Sequence, residues 1–349
     1  MATINPMSRR GLLLSGSLAT AGILATACSS EKEPAAPAAA AAGGSAAAGP
    51  QKGKKVIFVV HDKNPFFAPV QRGFEDFGAA MGWETQFIGP PAQDAQKTVE
   101  LQASALSAKP AGVIFTRIDE TSFDANIQRA LSEGVKVILS NVASDGYEKL
   151  GVGFVGQHFV NAGDTCGREI AKYAKERTGR SDGLIVCGNF GPGSTALEQR
   201  IQGIKQGIEA YNKENGTTFT SEVLITSTDE SKAVATIDAK YTAKKDEIVG
   251  WAMSAFDHQY VATWAKSKNL VGKFAVGGFD LIQPVLDGIK DKSIDFSLGQ
   301  NPYAQGWIAA ALLAEEIDPG FPAGSYDTGA EVVNTANIET VSAREARFA

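Results

Sequence analysis

Three histidines and three cysteines are the scarcest reactive groups in this 349-residue chain. His61, His158 and His258 stand far apart, with no Cys/His cluster, no paired-histidine helix and no Gly-x-Ser-x-Gly elbow near them. Metal ligation and Ser-His hydrolysis therefore lack their usual machinery, and the histidines read as loop or surface residues. The run Gly188-Asn189-Phe190-Gly191-Pro192-Gly193-Ser194-Thr195 has the glycine spacing of a phosphate-binding loop. Ser194 occupies the place of the lysine that would reach the outer phosphates, so the run reads as a strand-to-helix turn. Cys166 falls one turn into a predicted helix and Cys187 at the end of the next predicted strand, near one sheet edge. A disulfide and a pair of buried thiols both remain open for them.

Amides, carboxylates and aromatics recur at another kind of position. Short β-branched runs at 56–60, 86–88, 113–116, 135–140, 184–187, 223–226, 249–253 and 274–277 predict strands. Helical periodicity lies between them: Leu197, Ile201, Ile204, Ile208 and Tyr211 share one face, as do Phe67, Val70, Phe74, Phe77 and Met81. Repeated β-α units demand parallel sheets covered by helices on both faces. The rhythm breaks from 144 to 158, and near the end the strand-like pieces 296–298 and 331–333 flank a long helix at 303–317. These breaks predict an α/β chain of two doubly wound parallel-sheet lobes joined by hinge strands, able to close on a cleft.

Ligands of open α/β sheets bind beyond the carboxyl ends of the strands. Those ends deliver His61, Asn64, Phe66 and Phe67; Arg117; Asn141; Asn189; Phe256 and Asp257; and Asp280. Planar polar groups can pair with adjacent sugar hydroxyls, each of which donates and accepts, while aromatic faces cover C–H groups. Taken singly, any of these residues also serves as a cap or a turn; Asn64 before Pro65 could cap the next helix.

Charge and leader narrow the setting. With 33 basic against 39 acidic residues, a net charge of −6, the chain lacks the electrostatic footprint of a nucleic-acid binder. Ser8-Arg9-Arg10 followed by an apolar, small-residue stretch to Ala27 reads as an export signal, too short and interrupted for a spanning helix. Arg9-Arg10 with Leu12 and Leu13 resembles a twin-arginine signal, and the plain positive region of a general secretory signal is the alternative. Leu24-Ala25-Thr26-Ala27-Cys28 looks like a bacterial lipoprotein box, with Cys28 as the lipidated residue. From Ser29 to Lys54 there is no Val, Ile, Leu, Met or aromatic residue, so this stretch reads as a flexible tether.

In order, Asn64-Pro65-Phe66-Phe67, Val137-Ile138-Leu139-Ser140-Asn141, Gly277-Gly278-Phe279-Asp280 and Gln300 resemble the ribose-binding-protein-like, type I periplasmic sugar-binding proteins of ATP-driven importers. The resemblance spans roughly residues 56–341. It implies that Asn64, Phe66 and Phe67 contact the sugar and that Asp280 and Gln300 match family binding positions directly. Phe256 or Asp257 falls near the family's binding asparagine. Glu198 stands where an arginine is frequent, with Arg200 two residues later. Asn141 and Val142 replace an Asp-Arg pair that grips the ring oxygen and a neighbouring hydroxyl. That departure argues against ribose and toward another pentose, a deoxy sugar or a sugar alcohol such as a tetritol or pentitol.

The expected organisation is an export signal at 1–27, a lipidated Cys28 with tether at 28–54, an N-terminal lobe from 55–157 plus 301–326, and a C-terminal lobe from 158–300 plus 327–341. The expected role is a non-enzymatic, extracytoplasmic lipoprotein that delivers one small sugar or polyol to an ABC permease and its ATPase. It would be a monomer, held to the membrane by lipid alone, with no cofactor, metal or nucleic acid. A chemosensory or signalling receptor on the same body is the first alternative. A hydrolase or nucleotide-binding enzyme is the second, and it lacks the motifs named above. A sugar-responsive repressor would need a helix-turn-helix ahead of the body, where this chain has an export signal.

Overall fold

The computed structural model describes residues 51–322 and 324–348; the export signal, Cys28 and residues 29–50 of the expected tether lie outside the described residues. The first lobe is built from β1 (Lys55–Val59), α1 (Phe67–Met81), β2 (Glu84–Ile88), α2 (Ala95–Ser107), β3 (Gly112–Phe115), α3 (Asp124–Ser132), β4 (Lys136–Ser140) and β5 (Gly153–Gly156). The second comprises α4 (Phe159–Thr178), β6 (Asp182–Asn189), α5 (Thr195–Asn215), β7 (Thr218–Ile225), α6 (Glu230–Lys244), β8 (Ile248–Met253), α7 (His258–Ser267), β9 (Ala275–Phe279), α8 (Gln283–Lys290) and β10 (Phe296–Gly299). The chain then returns through α9 (Pro302–Ile317), β11 (Tyr326–Asp327), β12 (Glu331–Asn334) and α10 (Ile338–Glu345).

Two six-stranded sheets result, in the orders β11-β5-β4-β3-β1-β2 and β12-β10-β9-β8-β6-β7. Pairing is parallel throughout except between β10 and β12. Helices cover both faces, which is why inner strands such as β3 and β8 are apolar and buried along their whole length. In the first lobe Phe58 and Ile114 pack under Phe74 and Leu313, while Val59 and Phe115 face Leu106 and Ile127. In the second, Trp251 and Met253 meet Trp264 and Val285, and Ile185 and Val249 meet Ile170 and Ile204. Each lobe also has one pair of helices in backbone contact. A Cβ on Gly306 of α9 would lie 1.9 Å from the Val70 carbonyl of α1, and one on Gly203 of α5 would lie 2.1 Å from the Val160 carbonyl of α4.

The chain crosses between lobes after β5, after β10, and between β11 and β12. The sequence marks 144–158 only as a break in rhythm, yet Gly153–Gly156 is a full strand beside β4. Glycine is a poor strand former, and pairing with β4 on one side and β11 on the other holds it there. Asp327 pairs with Gly156 in the first sheet, so the last crossing follows it rather than preceding it as expected. The second lobe also continues through α10 to Glu345, beyond the expected 341.

Residues 51–54, expected within the tether, belong to the fold. Gln51 is buried, donates Nε2 to the carbonyls of Ala314 (3.1 Å) and Asp318 (3.3 Å), and accepts from Trp83 Nε1 (3.3 Å). The Ala314 carbonyl already accepts from Asp318 N, and its oxygen has a second lone pair, so one glutamine can dock there without an apolar anchor. Among the described residues no helix is long and apolar enough to cross a membrane.

Candidate functional site

The carboxyl ends of the two sheets face each other. Val142 and Ile118 of the first lobe pack against Phe159 and Ala196 of the second, and Gln199 Nε2 reaches Asp145 Oδ1 at 2.7 Å across the gap. Among the described residues, ten buried side-chain polar atoms have no hydrogen-bond partner, and seven of them lie at these strand ends. They are His61 Nδ1, Asp62 Oδ1, Thr116 Oγ1, Ser144 Oγ, Ser254 Oγ, Asp257 Oδ1 and His258 Nε2. An unsatisfied buried donor or acceptor costs about 1–3 kcal/mol. Their concentration where the lobes meet is what a polar ligand would relieve.

Asn141 and Asp280 occupy matching places, each one residue beyond the fourth strand of its lobe. Both have left-handed backbone, with φ of 67° and 74°. Asparagine and aspartate tolerate this region better than other residues with side chains, so the turn presents their polar heads rather than a larger group. Gln300, in the second crossing, donates Nε2 to Asp280 Oδ1 at 2.6 Å. A cavity of about 320 Å³ opens beside Asp280, lined by Pro65, Phe66, Ile282, Gln300 and Phe348 among others; Asn141, Arg200 and Asp257 are not in its lining. A second cavity of about 390 Å³, at the first and third crossings, holds none of the expected ligand residues. The smaller one is therefore the candidate site.

Arg200 is the main residue that the expected set lacks. It is 4% exposed, sits with its guanidinium 4.3 Å from the Phe279 ring centroid, and donates Nε and Nη2 to Gln157 Oε1 and Nη1 to the Ser254 carbonyl. Each terminal nitrogen retains a second N–H beyond these bonds. Burial lowers its pKa from the usual arginine value, and the Asp280 carboxylate works against that shift. The signal was legible: Arg200 shares the helical face of Leu197, Ile201 and Ile204, whereas Glu198 does not.

Asp257 is fully buried, accepts from Thr226 Oγ1 at 2.7 Å through Oδ2, and has no partner for Oδ1. Burial raises its pKa to about 6. Phe256 beside it is half-buried and packs on Phe190 at 5.3 Å. His61 and His258, expected on loops or at the surface, are buried, and burial lowers both pKa values to about 4. Both rings are neutral near pH 7.

Other expected residues have structural work. Arg117 is buried, with its donors spent on Asp124, on the Glu120 carbonyl and on the carbonyls of Ala143, Ser144 and Asp145; it braces loops instead of offering a free donor. Glu198 is exposed and accepts from Gly193 N at 2.8 Å. Asn64 Oδ1 accepts from Phe66 N at 2.9 Å, forming the turn before α1. Phe66 lines the cavity, while Phe67 is core, edge-on to His61. His158 caps α4 by accepting from Asn161 N. In the glycine run, Asn189 Oδ1 takes the Gly191 amide as Glu198 takes that of Gly193, so these amides are not free to cradle phosphate. Cys166 and Cys187 are buried free thiols, the second of the two alternatives open to them, and burial raises both pKa values.

Comparison with known proteins agrees with this fold. Residues 56–320 match the model of a periplasmic binding protein domain. The chain is 26% identical over 301 residues to the xylose/arabinose-binding protein XylF of Sulfolobus acidocaldarius, covering 82% of this chain and 72% of that protein. Its fold is shared with an ABC transporter solute-binding protein from Burkholderia graminis in complex with D-arabinose (TM-score 0.72, 23% identity, 82% of this chain and 97% of that one). A carbohydrate transporter protein from Acidothermus cellulolyticus in complex with myo-inositol is similar too (TM-score 0.70, 20% identity, 85% and 99%).

Proposed function

Because the chain belongs to the periplasmic binding protein family, we propose that it binds one neutral pentose, deoxy sugar or sugar alcohol between its lobes and hands it to an ABC permease and its ATPase. Proteins of this family are sugar-binding, extracytoplasmic components of ABC transporters, and they are not enzymes. The observation that carries the narrower reading is the matching left-handed placement of Asn141 and Asp280, each one residue beyond the fourth strand of its lobe, with Gln300 on Asp280 and Arg200 on the Phe279 ring. Amides and a carboxylate can each engage a hydroxyl, and Phe66 supplies an apolar wall for C–H groups. Val142 is buried among apolar neighbours, so that position offers no charged fork to the ring oxygen. Relatives described as binding xylose, arabinose and myo-inositol support a pentose or polyol of similar size.

Closure follows from contacts made to both lobes at once, since only differential affinity for the closed form shifts the equilibrium. A thermal-shift screen of the chain against pentoses, hexoses, deoxy sugars, tetritols to hexitols, nucleotides and amino acids tests the reading. A ligand at about 100 times its dissociation constant adds roughly 2.7 kcal/mol, or a rise of about 5 °C at this size. Stabilisation by nucleotides or amino acids alone would overturn the reading. The lipid anchor belongs to the same proposal: Cys28→Ser is expected to move the protein from the membrane fraction to the soluble one, and an unchanged membrane fraction would count against lipidation.

A further inference from the structure

Gln305, in the first turn of α9, is fully buried and lies beside the cleft rather than in it. Its Nε2 is 3.2 Å from both the backbone carbonyl and the Oε1 of Gln300, and 3.3 Å from Thr328 Oγ1 in the third crossing. Its Oε1 is 3.0 Å from Asn141 Nδ2. A backbone carbonyl can only accept, so the Gln300 carbonyl settles which end of the Gln305 amide carries nitrogen. The remaining orientations then follow. Gln305 Oε1 must accept from Asn141, so Asn141 Oδ1 is left as an acceptor for ligand. Gln300 Oε1 accepts from Gln305, so its Nε2 is the group that meets Asp280.

We propose that Gln305 is a positioning residue that sets, from the hinge, the donor and acceptor directions of Asn141, Gln300 and Asp280, and thereby the selectivity of the site among sugar epimers. The proposal rests on the sugar-binding reading. The relay runs Asn141 to Gln305 to Gln300 to Asp280, joining a candidate ligand group of the first lobe to one of the second through the second crossing. A hydroxyl can donate or accept, so an amide free to flip still binds sugars. What it loses is discrimination, because a rejected epimer no longer leaves a fixed buried group unpaired.

Titration calorimetry on the full chain with D-xylose, D-arabinose, L-arabinose and D-ribose tests this, comparing wild type, Gln305→Met and Thr328→Val. Gln305→Met is expected to compress the spread of dissociation constants across the four pentoses by about tenfold, through loss of roughly one fixed hydrogen bond. Thr328→Val, which leaves the Gln300 carbonyl to orient Gln305, is expected to keep the spread. An unchanged spread in Gln305→Met with wild-type binding intact overturns the proposal alone. A wild-type chain that no carbohydrate stabilises overturns the functional reading and this proposal with it. If Gln305→Met does not fold, the side-chain amide resonances of wild-type Gln305 and Asn141 decide. They are expected to shift together when the tightest-binding pentose is added, and a Gln305 resonance that stays in place overturns the proposal.

Discussion

Replacing Asp280 with alanine is expected to weaken binding of the best sugar by on the order of a hundredfold in titration calorimetry. Asp280 is 8% exposed and Gln300 holds its Oδ1, so Oδ2 is the oxygen that a ligand would meet. A hydrogen bond to a charged group contributes about 1.5–3 kcal/mol, a factor of roughly 10 to 150 in affinity. Truncation also leaves Gln300 Nε2 without its acceptor and removes the carboxylate that supports the Arg200 charge. The left-handed backbone at this position adds a cost to alanine that is separate from binding. Asp280→Asn separates the effects, because asparagine keeps the backbone preference and the size while losing the charge. It is expected to fold with a melting temperature near that of wild type and still bind at least tenfold more weakly. Wild-type affinity in Asp280→Ala would remove Asp280 from the site.

Asp257, a candidate site residue, makes stability depend on pH. Burial raises its pKa from 3.8 to about 6, so the folded protein holds this proton more tightly than the unfolded chain does. The resulting stabilisation is fully present below about pH 4 and is lost as pH rises through 6. Above that, a buried, half-satisfied carboxylate costs on the order of 3 kcal/mol. Asp257→Asn keeps an acceptor for Thr226 and removes the charge. It is expected to raise the melting temperature of the ligand-free protein by about 5 °C at pH 7.5 and to leave it unchanged at pH 4.

His61 and His258 titrate in the opposite sense. Their pKa values are lowered to about 4, so the stability they support is lost as pH falls from 6.5 toward 4. Both proteins share that loss, and the difference between them isolates Asp257. A ligand hydroxyl donating to the orphaned Oδ1 would favour the ionised form and lower its pKa in the complex. Binding by wild type should therefore tighten by roughly fivefold between pH 5 and 7 for a one-unit shift, while Asp257→Asn should be flat. Parallel pH profiles for the two proteins would show that the ligand does not meet Asp257.

Several candidate site residues are legible in the chain because a strand end is a local feature. Asn141, Asp257 and Asp280 each follow a β-branched run by one to four residues, and parallel β-α repeats send such positions to one edge of a sheet. Arg117 follows a strand in the same way, yet it is spent on loop carbonyls. Nothing local distinguishes a guanidinium that meets ligand from one that meets backbone 26 to 28 residues away. Arg200 lies on the apolar face of its helix and Glu198 does not, a difference that periodicity shows and residue type alone does not.

What the sequence determined by itself was the class of fold, the two lobes and the strand ends that carry polar groups, because periodicity and strand spacing act over a few residues at a time. Tertiary structure decided which of those groups keep a free donor or acceptor. Gln305 contacts Asn141 at a separation of 164 residues, and Arg200 contacts Gln157 at 43. The direction of each amide is imposed by partners from other crossings of the hinge, and bonds between such distant residues leave no periodic trace in the chain.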